Sequence, residues 1–138
     1  MEDAGGIIRA LALAPHPEGG WYRETWRDRS GAGRGAASSI LFLLEKGQRS
    51  HWHRIDAAEI WLFHAGGPLR LSMAQDGELT EQRLGPDVLG GDLLQAFVPA
   101  RRWQSAEPLG AWTLVACVVA PAFEFEGFEL APPGWAPA

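Results

Sequence analysis

The chain opens on a short apolar stretch, Gly6-Ile7-Ile8-Arg9-Ala10-Leu11-Ala12-Leu13-Ala14, in which Ile7, Ile8 and Leu11 share one side of a helical turn. Residues 6–14 are expected as one short helix, stopped by Pro15 and Pro17, because proline lacks the ladder N–H and clashes with the preceding turn. The pattern then changes to short apolar, β-branched and aromatic runs punctuated by Gly, Pro and Asp. Strands are predicted over Gly20–Trp26, Ser39–Leu44, His51–Ile55, Glu59–His64, Leu69–Ala74, Leu79–Leu84, Leu94–Val98 and Trp112–Val119. Gln75-Asp76-Gly77 has the residues of a hairpin turn, which makes Leu79–Leu84 the partner of Leu69–Ala74. Ser30–Ser39 is expected as a loop, and Phe123–Leu130 as no more than a helical turn. Many short strands with turn signals between them indicate an all-β sandwich or barrel behind a short N-terminal helix. A closed barrel gathers inward-facing side chains at its mouth, where a ligand would bind.

Composition narrows the field. The 138 residues are expected to form one domain, and 46% apolar with 21% charged residues suits a packed core rather than disorder. Twelve basic against seventeen acidic residues give a net charge of −5, which argues against nucleic acid or an anionic membrane surface as partner. One cysteine excludes an internal disulfide and a cysteine-built metal or iron–sulfur site, and fits a reducing cytosol. That residue, Cys117, lies in an apolar run and reads as a small buried hydrophobe. The N-terminus is acidic, Arg9 interrupts its apolar stretch, and Thr113–Phe123 is too short to span a bilayer. A cytoplasmic protein is therefore expected. Lys46 is the only lysine, so Schiff-base chemistry has one candidate, and the absence of Asn excludes N-glycosylation.

Three of the four histidines fall between positions 51 and 64. On a strand, residues two apart point the same way, so His51 and His53 are expected to share a face. Glu59, Trp61 and Phe63 share a face of the next strand, and if the two strands pair, His51, His53 and Glu59 converge. Two imidazoles and a carboxylate suit a divalent metal (Fe, Mn, Ni or Zn), or else general acid–base catalysis. His64 has the opposite parity to Glu59 and is not counted.

These residues resemble the first motif of the cupin superfamily: Gly47, His51-Trp52-His53, then Glu59 and, after the family's six-residue gap, Gly66. The second motif aligns with Gly91 and Pro99, but Arg101 stands where a glycine is expected and Gln104 where the fourth ligand, a histidine, is expected. The chain is more closely similar to a subfamily of small, largely uncharacterised bacterial and fungal cupins. The resemblance runs through His16-Pro17-Glu18-Gly19-Gly20-Trp21-Tyr22-Arg23-Glu24-Thr25, Trp52-His53-Arg54 with Asp56, Glu59-Ile60-Trp61, and Val98-Pro99-Ala100 with Trp103-Gln104. It implies a double-stranded β-helix, the jelly-roll barrel shared with deoxysugar epimerases and seed storage proteins. It also implies a homodimer.

Within that barrel His53 is the first candidate for catalysis, as the group that moves a proton, with Glu59 orienting or tuning it. Trp21, Trp61 and Trp103 are expected as an aromatic wall suited to a sugar or nucleotide-sugar, with Gln95 and Gln104 as neutral hydrogen bonders. Arg23 could clamp a carboxylate or phosphate, and Arg23 and Glu24, adjacent on a strand, are expected to face opposite sides. Arg23 and Arg54 are the candidate partners of Glu59. Trp52 faces away, and His16 with the Pro-Glu-Gly-Gly turn is expected to border the mouth or to shape the entry to the first strand, the second being the favoured role. Three readings stay open: an epimerase or isomerase acting on a sugar or other hydroxy-carbonyl compound, a metal enzyme using His51, His53 and Glu59, and a non-catalytic ligand sensor.

Overall fold

The computed structural model describes residues 3–137. Helix α1 (Ala4–Ala10) begins where the Asp3 side chain accepts a hydrogen bond from the Gly5 N–H at 3.3 Å. It starts earlier than the sequence pattern suggests and ends before the prolines, because the chain turns at Ala12, whose φ is +55°. Pro15 does not stop the helix. It lies in the two-residue strand β1 (Ala14–Pro15), at the edge of a sheet where a missing N–H is tolerated. The apolar side of the helix, Ile7, Ile8 and Leu11, packs on Leu43 and Trp112.

The remaining strands are β2 (Trp21–Arg27), β3 (Ser38–Glu45), β4 (Ser50–Ile55), β5 (Ala58–Gly66), β6 (Leu69–Gln75), β7 (Glu78–Leu84), β8 (Gln95–Val98), β9 (Trp103–Pro108), β10 (Trp112–Ala120) and β11 (Phe128–Leu130). They form two antiparallel sheets, ordered β1-β2-β3-β10-β5-β8 and β11-β4-β9-β6-β7. The β6–β7 hairpin turns on Asp76 and Gly77, both at positive φ (+52° and +80°), as the anticipated tight turn requires. A 3₁₀ turn at Phe125–Gly127 precedes β11. Strands β9 and β11 had no clear sequence signal: β9 reads Trp-Gln-Ser-Ala-Glu-Pro, polar because it is buried by hydrogen bonding rather than by apolar alternation.

One expectation is overturned. The strands carrying His53 and Glu59 do not pair: β4 lies between β9 and β11 in one sheet, and β5 between β10 and β8 in the other. The two residues meet by facing each other across the barrel.

Along each inner face, strand alternation divides the interior into two regions. Phe42 and Leu44 of β3, Trp61 of β5, Leu69 and Leu71 of β6, and Val115 of β10 fill the packed half. Ser38 and Ile40, Glu59, and Cys117 and Val119 continue the same faces into an open cavity of about 740 Å³. Among the described residues no helix is long and apolar enough to cross a membrane.

Candidate functional site

The site begins with a defect in β4. Ser50 pairs with Ala106 and His53 with Gln104, so β4 spends one more residue than β9 over this interval. The His51 N–H donates instead to the Glu18 carbonyl at 2.8 Å. The extra residue breaks the alternation, and His51 and His53 therefore part. The His51 ring bonds to the Pro132 carbonyl through Nε2 at 2.9 Å, whereas His53 is buried and lines the cavity.

The same hydrogen bond holds the loop that delivers Glu18. Gly19 and Gly20 have φ of +110° and +80°, and a Cβ on either would collide with the Arg49 carbonyl or with Leu43 and Leu44. Only glycine lets this loop lie flat on β3 and β4, and so place the Glu18 carboxylate inside the barrel. There its Oε2 is 2.8 Å from His53 Nδ1, which also lies 2.8 Å from the His51 carbonyl. Two acceptors around Nδ1 fix the proton on that nitrogen and leave Nε2 as the free nitrogen of the ring. His16 Nδ1 accepts from the Glu18 backbone N–H at 3.1 Å, so its lone pair points there and the 3.7 Å approach to the Glu18 carboxylate is not a charged pair.

Glu59 lies on the opposite sheet. Gln104, fully buried, donates from Nε2 to Glu59 Oε1 at 2.9 Å and accepts at its own oxygen from the Trp61 Nε1–H, also at 2.9 Å. An indole nitrogen can only donate, so Trp61 sets the orientation of the Gln104 amide, and the amide in turn holds Glu59. The Cys117 thiol completes the surroundings of the Glu59 carboxyl with a further hydrogen bond.

Electrostatics separate the groups. Burial alone would lower the His53 pKa, but the Glu18 charge and hydrogen bond, with the Glu59 charge and the His51 carbonyl, raise it to about 9. Burial would raise Glu18, and the His53 charge and hydrogen bond overcome it, holding Glu18 below the usual carboxylate range. For Glu59 burial wins: aided by the Glu18 charge, it lifts the pKa to about 7 against the His53 charge and the Gln104 and Cys117 hydrogen bonds. His16 is pushed down, chiefly by burial, and stays neutral. Burial, with the Glu59 charge, pushes the Cys117 thiol up, so it stays protonated. Near neutral pH the closed end of the cavity thus holds a His53⁺–Glu18⁻ pair beside a carboxyl poised between its two forms.

Phe123, Phe128, Ile40, Ile55 and Val119 line the wall above this floor, with Phe125 at the mouth. Arg27 closes on both oxygens of Glu24 at 3.0 and 2.9 Å and donates to the Phe123 carbonyl.

Several sequence expectations are redirected. Trp61 is a core residue behind Gln104 and Trp21 bonds to Glu45, while Trp103 stacks outside on Trp135 and Arg54; none lines the cavity. Gln95 is exposed on the edge strand β8. Arg54 pairs with Glu129 and not with Glu59. Arg23 is paired with Leu41 on the helix side of the sheet and Glu24 with Ile40 on the cavity side, so the two take opposite faces as expected, and both border the mouth. Arg23 is exposed there with no ion-pair partner among the described residues, and so is not the partner of Glu59. His64 is exposed and Trp52 packs on the outer side against Ala131 and Trp135, both as expected.

The anticipated ligand set of His51, His53 and Glu59 is not assembled. His51 lies on the other side of the bulge, His53 Nδ1 is taken by Glu18 and the His51 carbonyl, and Gln104 offers Glu59 an amide N–H. Among the described residues no three His, Cys, Asp or Glu side chains are placed to hold a metal ion. Glu18 is the site residue that sequence reasoning missed. Its signal was a carboxylate two residues after a histidine and directly before two glycines, in a turn expected to border the mouth or shape the strand entry without a role for the carboxylate itself.

Comparison with known proteins agrees with this architecture. A structural-genomics target protein from Shewanella oneidensis is 40% identical, with a TM-score of 0.90 over 95% of this chain and 85% of that one. A hypothetical protein from Leishmania major is 32% identical, with a TM-score of 0.85 over 94% and 88%. The oxalate decarboxylase of Bacillus subtilis is 18% identical and shares the fold, with a TM-score of 0.67 over 84% of this chain and 29% of its own. No curated protein matches the chain. Residues 6–131 match the family described as "Cupin superfamily (DUF985)", and the chain, a two-sheet jelly roll with its polar cluster inside the barrel, belongs to that family.

Proposed function

We propose that the barrel binds a small hydroxy-carbonyl compound and moves a proton at the carbon next to its carbonyl, as an epimerase or isomerase does. The observation that carries this reading is Glu59: a buried carboxyl lining the cavity, with its pKa lifted to about 7, beside an imidazolium whose own pKa is raised to about 9. General acid–base catalysis is most effective when the group's pKa lies near the working pH, which Glu59 meets and His53, at about 9, does not. The roles expected from sequence are therefore exchanged.

In this reading ionised Glu59 removes the proton from the substrate carbon, and the C–H electron pair moves into an enediol(ate) as the carbonyl oxygen gains negative charge. His53, held positive by Glu18, donates to that oxygen from Nε2. Glu59, now protonated, returns the proton to the other face or to the neighbouring carbon. Gln104, locked by Trp61, keeps Oε1 occupied as an acceptor, so the transferred proton is carried on Oε2.

The test is loss of the α-C–H signal in deuterium oxide, followed by NMR, for compounds shown to bind. Exchange is expected with the native protein and a fall of about a hundredfold or more with Glu59→Gln, while binding is kept. Absence of exchange from every hydroxy-carbonyl compound that binds would sink the proposal.

A further inference from the structure

The ligand cavity has a division of labour along its depth that bears on what fits it. The polar groups able to meet a ligand are concentrated at the closed end, in Glu59, His53 and His16, with Tyr22 beside them. Higher up, Arg23 and Glu126 stand exposed at the outer rim, and the polar side chains between that rim and the floor are already engaged. Arg27 and Glu24 satisfy each other through two hydrogen bonds, the Arg27 guanidinium also holds the Phe123 carbonyl, and Ser38 Oγ accepts from the Phe123 N–H at 2.9 Å. Phenyl rings supply the largest apolar surfaces between rim and floor. Phe123, Phe125 and Phe128 pack edge to face with centroids 4.9, 5.7 and 6.0 Å apart, and Phe128 reaches down to the His53 ring at 5.5 Å. Phe125 remains 55% exposed at the mouth, a large apolar surface with nothing over it among the described residues.

From this arrangement we infer that the substrate, on the reading of proton transfer at Glu59, is a hydroxy-carbonyl compound with one flat apolar end, such as an aryl group, and not a polyol. A polyol carries a hydroxyl on each carbon, and each one buried against Phe123, Phe128, Ile40 or Val119 would lose water without gaining a partner. An aryl end gains by the same burial and can stack or edge against the phenyl rings. The indole wall that would have suited a sugar is absent from the cavity: Trp21, Trp61 and Trp103 lie elsewhere.

A matched pair of probes tests it. 2-Hydroxyacetophenone and dihydroxyacetone share the same hydroxy-ketone head and differ in a phenyl or a hydroxymethyl tail. Titration of the intact protein, followed by NMR or calorimetry, is expected to show the aryl compound binding about tenfold tighter or more. Phe125→Ser, a change at an exposed position that leaves the core untouched, is expected to narrow that preference about threefold. Equal affinity, tighter binding of dihydroxyacetone, or no binding of either probe overturns the inference, as does a preference unchanged in Phe125→Ser. The chemistry is judged separately: an aryl probe that binds without deuterium exchange leaves this inference standing and counts against proton transfer.

Discussion

Each side of strand β4 offers one basic residue to a glutamate from elsewhere in the chain, and the two pairs do opposite things. On the inside, His53 meets Glu18 in a pair almost closed to water, their side chains 4% and 6% exposed. On the outside, Arg54 meets Glu129 at the same 2.8 Å, with side chains 41% and 57% exposed, and lies over the Trp103 ring. The outer pair is solvated, and such pairs contribute little. The inner pair is desolvated, so each charge depends on the other, and their joint field reaches Glu59. Distance is equal in the two cases. Burial decides which contact can tune a proton.

The largest test of this contrast removes one charge from each side. Glu18→Gln is expected to destabilise the fold by about 3 kcal/mol in denaturant unfolding, because it strands His53 in a site built for a cation. Arg54→Ala is expected to cost no more than about 1 kcal/mol. Similar losses from the two would erase the distinction.

Next comes pH. His53 has a folded pKa near 9 against an ordinary 6.5, so its contribution is fully present below about pH 6.5 and is lost as pH rises through 9. Glu59 has a folded pKa near 7 against an ordinary 4.5, also raised, so the folded state again binds the extra proton and loses stability as pH rises from about 4.5 through 7. Glu18 is depressed and acts oppositely, its contribution lost as pH falls through its lowered folded pKa. Unfolding free energy is thus expected to fall from mildly acid to alkaline pH, by an amount on the order of a few kcal/mol. A stability rising between pH 5 and 9 would contradict the inner-site electrostatics, with Arg54→Ala as a control whose profile follows the native protein.

The smallest effect is expected at His51. His51→Ala removes one hydrogen bond to the Pro132 carbonyl, costing about 1 kcal/mol, and leaves the Glu59 pKa unchanged when followed by NMR of carboxyl-labelled protein. A shift at Glu59 would mean that His51 belongs to the site after all.

Much of the fold was legible because it rests on local rules. Alternation and turn residues located eight of the eleven strands within a residue or two, and Asp76-Gly77 marked the hairpin between β6 and β7. The site was legible in part: His53, Glu59 and Gln104 were named from their positions in the motifs. Which residue pairs with which was not legible, because the partners lie far apart along the chain. Glu18 reaches His53 across thirty-five positions, and Gln104 reaches Glu59 across forty-five. One inserted residue in β4 also reversed the facing assumed for His51, and alternation cannot register a bulge made by a long-range bond to the Glu18 carbonyl.

By itself the sequence determined an all-β sandwich or barrel with a short helix in front and a histidine–carboxylate cluster, which its resemblance to the cupins narrowed to a jelly roll. Period, turn chemistry and motif spacing are properties of neighbouring residues. Only the tertiary structure decided which histidine enters the barrel, that Glu18 holds it charged, that Glu59 rather than His53 has its pKa near neutrality, and that phenyl rings rather than indoles line the cavity. Those outcomes depend on burial and on through-space charge, which exist only once distant segments are packed together.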